Sequence, residues 1–143
     1  MENLRQERIE DARLATRGAI GIFIDRTGVR AVMVRSMAGL VLLNPVINYR
    51  DALAVKMFEY MSAGIPVIAS NFPLWKEIVE GSDCGICVDP LNPGRISEAI
   101  QFIVEHPAEA EKMGKNGRRG VEERYNWGME EKKLLYLYQE LLA

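Results

Sequence analysis

A chain of 143 residues has room for one ordinary domain, with a core that needs no disulfide staples. Its 48% hydrophobic and 27% charged residues are the balance of a soluble globular protein, and a formal charge of −2 with acids and bases interspersed gives no electrostatic pull toward nucleic acid. The first fifteen residues mix Glu, Asp and Arg instead of forming a secretory apolar segment, and no apolar run approaches the roughly 18 residues of a spanning helix, so a cytoplasmic location is expected.

In chain order, residues 2–17 predict a weakly amphipathic helix with Leu4, Ile9 and Leu14 as sparse apolar points. A compact apolar run over 19–24 predicts a strand; Thr27-Gly28 breaks it, and 29–37 reads as a short helix. The continuous apolar stretch 39–43 has the pattern of a strand covered on both faces. Asn44-Pro45 stops that strand, and Asn48-Tyr49-Arg50-Asp51 reads as a polar loop. A helix over 52–63 follows, with Leu53, Met57 and Met61 on one stripe and Gly64 as its stop. Residues 66–70 predict a second buried strand, 74–80 a short helix, and 84–88 a third strand. Helices are then expected at 94–105, 107–122 and 127–142; Pro107 suits a helix start, while Gly114 and Gly117 weaken the middle helix. Strands alternating with helices imply the α/β class, a Rossmann-like parallel sheet with flanking helices and a helical C-terminus.

Ligands of such sheets bind beyond the carboxyl ends of the strands, which points to the loops at 44–52 and 70–74. The first loop delivers the N-terminus of the 52–63 helix, whose amides from Ala52 through Leu53 and Ala54 to Val55 would form an anion site favoured by the helix dipole. Small side chains at Ala52 and Ala54 would let a diphosphate approach the backbone. Lys56 and Glu59 share a face away from the apolar stripe; taken alone, that spacing reads as a solvated side with a weak ion pair. Cys84 and Cys87 have redox or half-zinc spacing, but three residues apart on a strand they would point to opposite faces. His106 is the chain's one histidine, so no zinc set is expected, and the thiols read as core packing.

The string from Lys56-Met57-Phe58-Glu59-Tyr60 through Ser62-Ala63-Gly64-Ile65-Pro66 to Ser70 resembles the signature of family 4-type (group 1) glycosyltransferases. The likeness continues through Trp75-Lys76-Glu77-Ile78-Val79, Cys84-Gly85-Ile86-Cys87-Val88-Asp89-Pro90 and Arg124-Tyr125-Asn126-Trp127. It covers about three-quarters of the chain, 39–142, with 1–38 matched only weakly, so that 1–143 reads as a single partial domain. The resemblance implies a GT-B enzyme, in which two Rossmann-like halves enclose the active site and the C-terminal half binds a nucleotide diphosphate-sugar. In that family an acidic pair separated by seven residues lies at the donor. Glu59 resembles the second acid, which accepts hydrogen bonds from ribose hydroxyls; Asp51 stands where the first, usually Glu, contacts the transferred sugar. Ala52, Leu53 and Ala54 match the stretch whose amides approach sugar and diphosphate, and Ala54 stands where the Lys-containing variant usually has Pro. Lys56 is either a diphosphate counter-charge or an ion-pair partner. Phe58, Tyr60 and Trp75 read as packing in preference to base-stacking platforms, and Glu77 as an exposed helix-start acid.

The family half has six strands in the order 3-2-1-4-5-6. Residues 19–24 resemble the third and the later strands the fourth to sixth, leaving no counterpart for the first two or for the acceptor-binding half. The expectations are an unpaired sheet edge and an apolar face on the last helix, at Leu134, Leu135, Tyr138, Leu141 and Leu142, that seeks a partner. A homodimer or swapped assembly follows from them. The resemblance implies two functions: the donor-binding half of a retaining, metal-independent transferase, inactive without its other half, or a non-catalytic module that self-associates. Cell-surface polysaccharide synthesis, in solution or peripheral at the inner membrane face, is the implied setting.

Overall fold

The computed structural model describes residues 25–142. The chain divides between Ser36 and Met37 into two units. The helix expected over 2–17 and the strand over 19–24 lie outside the described residues.

In the first unit, helix α1 (Arg26–Arg35) begins on Asp25, whose carboxylate accepts the Gly28 amide at 2.8 Å. Thr27 and Gly28, expected to break the chain before a helix at 29–37, instead occupy its first turn. A good N-cap satisfies orphan amides and offsets one glycine's propensity cost of about 1 kcal/mol.

The second unit runs β1 (Gly39–Val41), α2 (Ile47–Arg50), α3 (Val55–Ala63), β2 (Val67–Ser70), α4 (Pro73–Gly81), β3 (Gly85–Val88), α5 (Pro93–Glu105), α6 (Pro107–Glu123) and α7 (Trp127–Leu142). The strands form one parallel sheet in the order β1-β2-β3, with Gly39 opposite Val67 and Val67 opposite Gly85. This is the expected α/β class. Central β2 is buried along its whole length and splits the core by strand alternation. Val67 and Ala69 pack with Met57, Met61, Trp75 and Val79, whereas Ile68 packs with Val88, Ala99 and Ile103 on the other side. Helices therefore pack on both faces of β2, which is why it reads as an unbroken apolar run, whereas Leu40 of β1, expected in a strand covered on both faces, is 48% exposed. Among the described residues β1 pairs with β2 alone.

Three details differ from expectation. Asn48–Asp51, read as a loop, contributes its first three residues to the one-turn helix α2. Cys84 and Cys87 both pack on the Trp75 side, because Cys84 precedes β3 and follows Asp83 in the left-handed region (φ 49°), so strand alternation does not govern it. Gly114 and Gly117, expected to weaken α6, are where α6 closes on α3. A Cβ on Gly114 would run into the Gly64 carbonyl, and one on Gly117 would press on Met61 and Cys84. Gly64 serves a different need: it ends α3 at φ 71°, where a side chain is strained even though a Cβ would meet only an ordinary contact with the Gly114 carbonyl.

Candidate functional site

The carboxyl ends of β1 and β2 open onto one rim, and two side chains set its shape. Ser70, the last residue of β2, is fully buried. Its hydroxyl accepts from the Leu43 amide at 2.9 Å and donates to the Leu43 carbonyl at 3.1 Å, replacing ladder bonds that β1 no longer makes. Farther along the loop, the indole N–H of Trp75 donates to the Ala52 carbonyl at 2.6 Å. Trp75 is itself 1% exposed, with Phe72 tilted against it at a ring separation of 4.9 Å.

Between these ties lie the residues singled out from sequence. Asp51 is exposed and forms the C-cap of α2. Ala52 and Leu53 are exposed in the turn between α2 and α3, and Ala54, half-buried, is the N-cap of α3. The helix expected from residue 52 therefore starts at Val55, and Leu53, expected on the buried stripe, is 54% exposed while Met57 and Met61 are fully buried. Fewer amides are free than the 52–63 reading implied in helical geometry: Val55 and Lys56 belong to the first turn, and Met57 already donates to the Ala54 carbonyl at 3.0 Å.

That first turn is unusual in what it lacks. Asp25, Asn92 and Asn126 side chains cap α1, α5 and α7, and prolines open α4, α5 and α6. Helix α3 has no side-chain cap, no proline and no acidic residue in its first turn. Its leading amides and the positive end of its dipole are thus presented without an internal anion.

Lys56 and Glu59 are exposed, and among the described residues neither side chain makes an ion pair or a hydrogen bond; the expected Lys56–Glu59 pair is not formed. Glu59 stands just over one turn into α3, opposite the buried Met57–Met61 edge. The neighbouring Tyr60 phenol is pushed above its ordinary value, by burial first and the Glu59 carboxylate second. Phe58 packs on Tyr125 at 5.4 Å, and Trp75 lies in the core, so both act in packing as read; Glu77 is exposed on α4. Sequence reasoning missed the hydrogen bonds of Ser70 and Trp75. The available signals were a hydroxyl closing an apolar strand, and an indole N–H that needs a partner once its ring is buried.

Burial pushes the Cys84 thiol up to about 11 and that of Cys87 to about 12. Such thiols hold almost no thiolate at neutral pH. Among the described residues no group of three or more His, Cys, Asp or Glu could hold a metal, and no helix is long and apolar enough to cross a membrane.

A parallel sheet with helices on both faces, an uncapped helix at its carboxyl rim and a helical C-terminus together define one Rossmann-like half of a GT-B glycosyltransferase. The family model described as glycosyl transferases group 1 matches residues 23–120, and the chain belongs to that family. It is 34% identical over 90 residues to sucrose synthase of Denitrovibrio acetiphilus, covering 59% of this chain and 11% of that protein. It is 30% identical over 94 residues to spore coat protein SA of Bacillus subtilis, covering 65% and 25% respectively. The solved sucrose-phosphate synthase from Thermosynechococcus elongatus superposes with a TM-score of 0.74 at 28% identity, over 96% of this chain and 34% of that one. The chain thus spans about a tenth to a third of the length of these relatives.

Proposed function

We propose that this chain is the donor-binding half of a retaining glycosyltransferase that moves a sugar from a nucleotide diphosphate-sugar to an acceptor. The Val55 and Lys56 amides, with Ala52, Leu53 and Ala54 lining the approach, take the diphosphate. Lys56 adds a counter-charge, Glu59 accepts from the two ribose hydroxyls, and Asp51 lies toward the sugar. Stabilising the leaving diphosphate is the chemistry such a site supplies, and it needs no resident metal or other cofactor. Transfer requires an acceptor-binding half or partner chain; the setting is cytoplasmic, in solution or at the inner membrane face, in polysaccharide synthesis. The observation that carries the reading is the α3 start, the helix in this unit with neither cap nor proline over more than one turn, followed by a Glu59 carboxylate engaged in no ion pair.

The experiment is a titration of UDP, GDP and their sugars into the protein and into Glu59→Ala by calorimetry or ligand-observed NMR. Losing hydrogen bonds to a charged acceptor should weaken binding about tenfold or more. Indistinguishable signals from the two proteins would remove the assignment.

A second reading, a non-catalytic module that self-associates, is favoured by α7. No residue of that helix is buried, and Leu134, Leu135, Tyr138, Leu141 and Leu142 are all exposed. On either reading the assembly proposed is a homodimer or a swapped pair. Light scattering at micromolar concentration should show more than a monomer, and a single monomeric species would count against it.

A further inference from the structure

We infer that Trp75 is the positioning residue of the donor turn, holding the Ala52 carbonyl so that the Lys56 amide stays free; the inference rests on the donor-site reading above. In an α-helix the amide of residue 56 would donate to the carbonyl of residue 52. Ala52, Leu53 and Ala54 are good helix formers, so the local sequence favours extending α3 backward over them. The helix nonetheless starts at Val55, and the Ala52 carbonyl accepts the indole N–H at 2.6 Å and no amide of α3.

The indole can impose this because it is itself fixed. Its ring is 1% exposed, stacked at a tilt on Phe72 and packed in the cluster that holds Met57 and Met61. A buried indole N–H left without an acceptor is costly, so its demand for a carbonyl persists as long as the ring stays buried. The turn has few ties of its own. Among the described residues no amide of 51–54 bonds to the sheet or to α4, and Ala52 and Ala54 offer only methyl groups. One side chain, 23 residues away in sequence, thus decides whether this backbone is a helical turn with its amides spent or an open turn with them presented.

The test compares the wild type with Trp75→Phe, and with site-specific replacement of Trp75 by benzothienylalanine, which keeps the bicyclic shape and loses the N–H. The second variant preserves packing where phenylalanine leaves a void. Backbone carbon shifts of 52–54 should move toward helical values, and exchange of the Lys56 amide should slow about tenfold as it gains the Ala52 carbonyl. Affinity for UDP or GDP should fall about tenfold while affinity for UMP or GMP changes little, a split that general destabilisation would not produce. Shifts at 52–54 and Lys56 exchange unchanged in the benzothienylalanine protein would overturn the inference whether or not nucleotide binds. A wild-type protein that ignores every nucleotide would instead overturn the donor reading, with the backbone response still deciding the role of Trp75.

Discussion

Helices α6 and α7 are similar in length and follow one another, yet they invert the usual relation between composition and burial. Helix α6, PAEAEKMGKNGRRGVEE, is the more polar, and buries Ala110, Gly114, Gly117 and Gly120. Helix α7, WGMEEKKLLYLYQELL, carries five leucines, two tyrosines and a tryptophan and buries nothing. Small residues three or four apart let a helix backbone approach a neighbour closely, whatever the rest of its surface is made of. Apolar residues without a facing surface remain exposed. Spacing against a partner, and not apolar content, decides which helix belongs to the core.

The largest effect that would break this contrast comes from Gly114→Ala. The new methyl group meets the Gly64 carbonyl, which is backbone at the end of α3 and has no rotamer by which to yield. Overpacking costs about 1–3 kcal/mol, with the upper end expected against backbone, and alanine's helix propensity returns about 1 kcal/mol. A net loss of about 2 kcal/mol is expected in urea denaturation. A protein of unchanged or greater stability would show that the α3–α6 seam is not closely packed.

Alkaline pH sharpens the same contrast from beneath α6, where a Cβ on Gly117 would lie 3.2 Å from Cys84. Burial raises the Cys84 thiol from an ordinary value of 9.0 to about 11, and Cys87 to about 12. The folded state therefore holds these protons where the unfolded chain has lost them. The associated stability is complete below about pH 9 and declines as pH rises through the folded values. Stability measured at pH 10 should be lower than at pH 8, and Cys84→Ala, compared with its own pH 8 value, should lose less over that interval. Maleimide should label both thiols slowly at pH 7 in the folded protein and quickly in denaturant. Fast labelling of Cys84 in the native state would mean that α6 does not close over it.

The same rule explains what could be read from sequence. The strands at 66–70 and 84–88 and the stop at Gly64 were legible because burial on two faces and a left-handed end leave local signatures. The start of α3 was not. Ala52, Leu53 and Ala54 read as helix by propensity, and only the Trp75 indole, brought near by the fold, shows why they are not. The same register puts Leu53 on the buried stripe, yet it is exposed because the helix starts two residues later. Gly114 and Gly117 read as helix weakeners because their value lies in what faces them, and α3 is distant in sequence. For the candidate site, Glu59 and its helix were legible through a family string, whereas the ties made by Ser70 and Trp75 are long-range and left no periodicity to find.

The smallest effect on folding should come from α7, and its smallness is the point. Leu134 and Leu141 are seven residues apart on one side of the helix and are 42% and 71% exposed. Replacing both with serine removes little area that folding of one chain buries. The remaining cost is helix propensity, roughly half a kcal/mol for each position. In dilute protein, Leu134→Ser with Leu141→Ser should therefore lower folding stability by no more than about 1 kcal/mol, half the cost expected for the one methyl added at Gly114. At micromolar concentration the same pair should shift light scattering toward the monomer, because the removed groups are those a second copy would cover. If dilute stability instead drops as far as it does for Gly114→Ala, these leucines are covered within a single chain. The contrast between the two helices would then be one of degree.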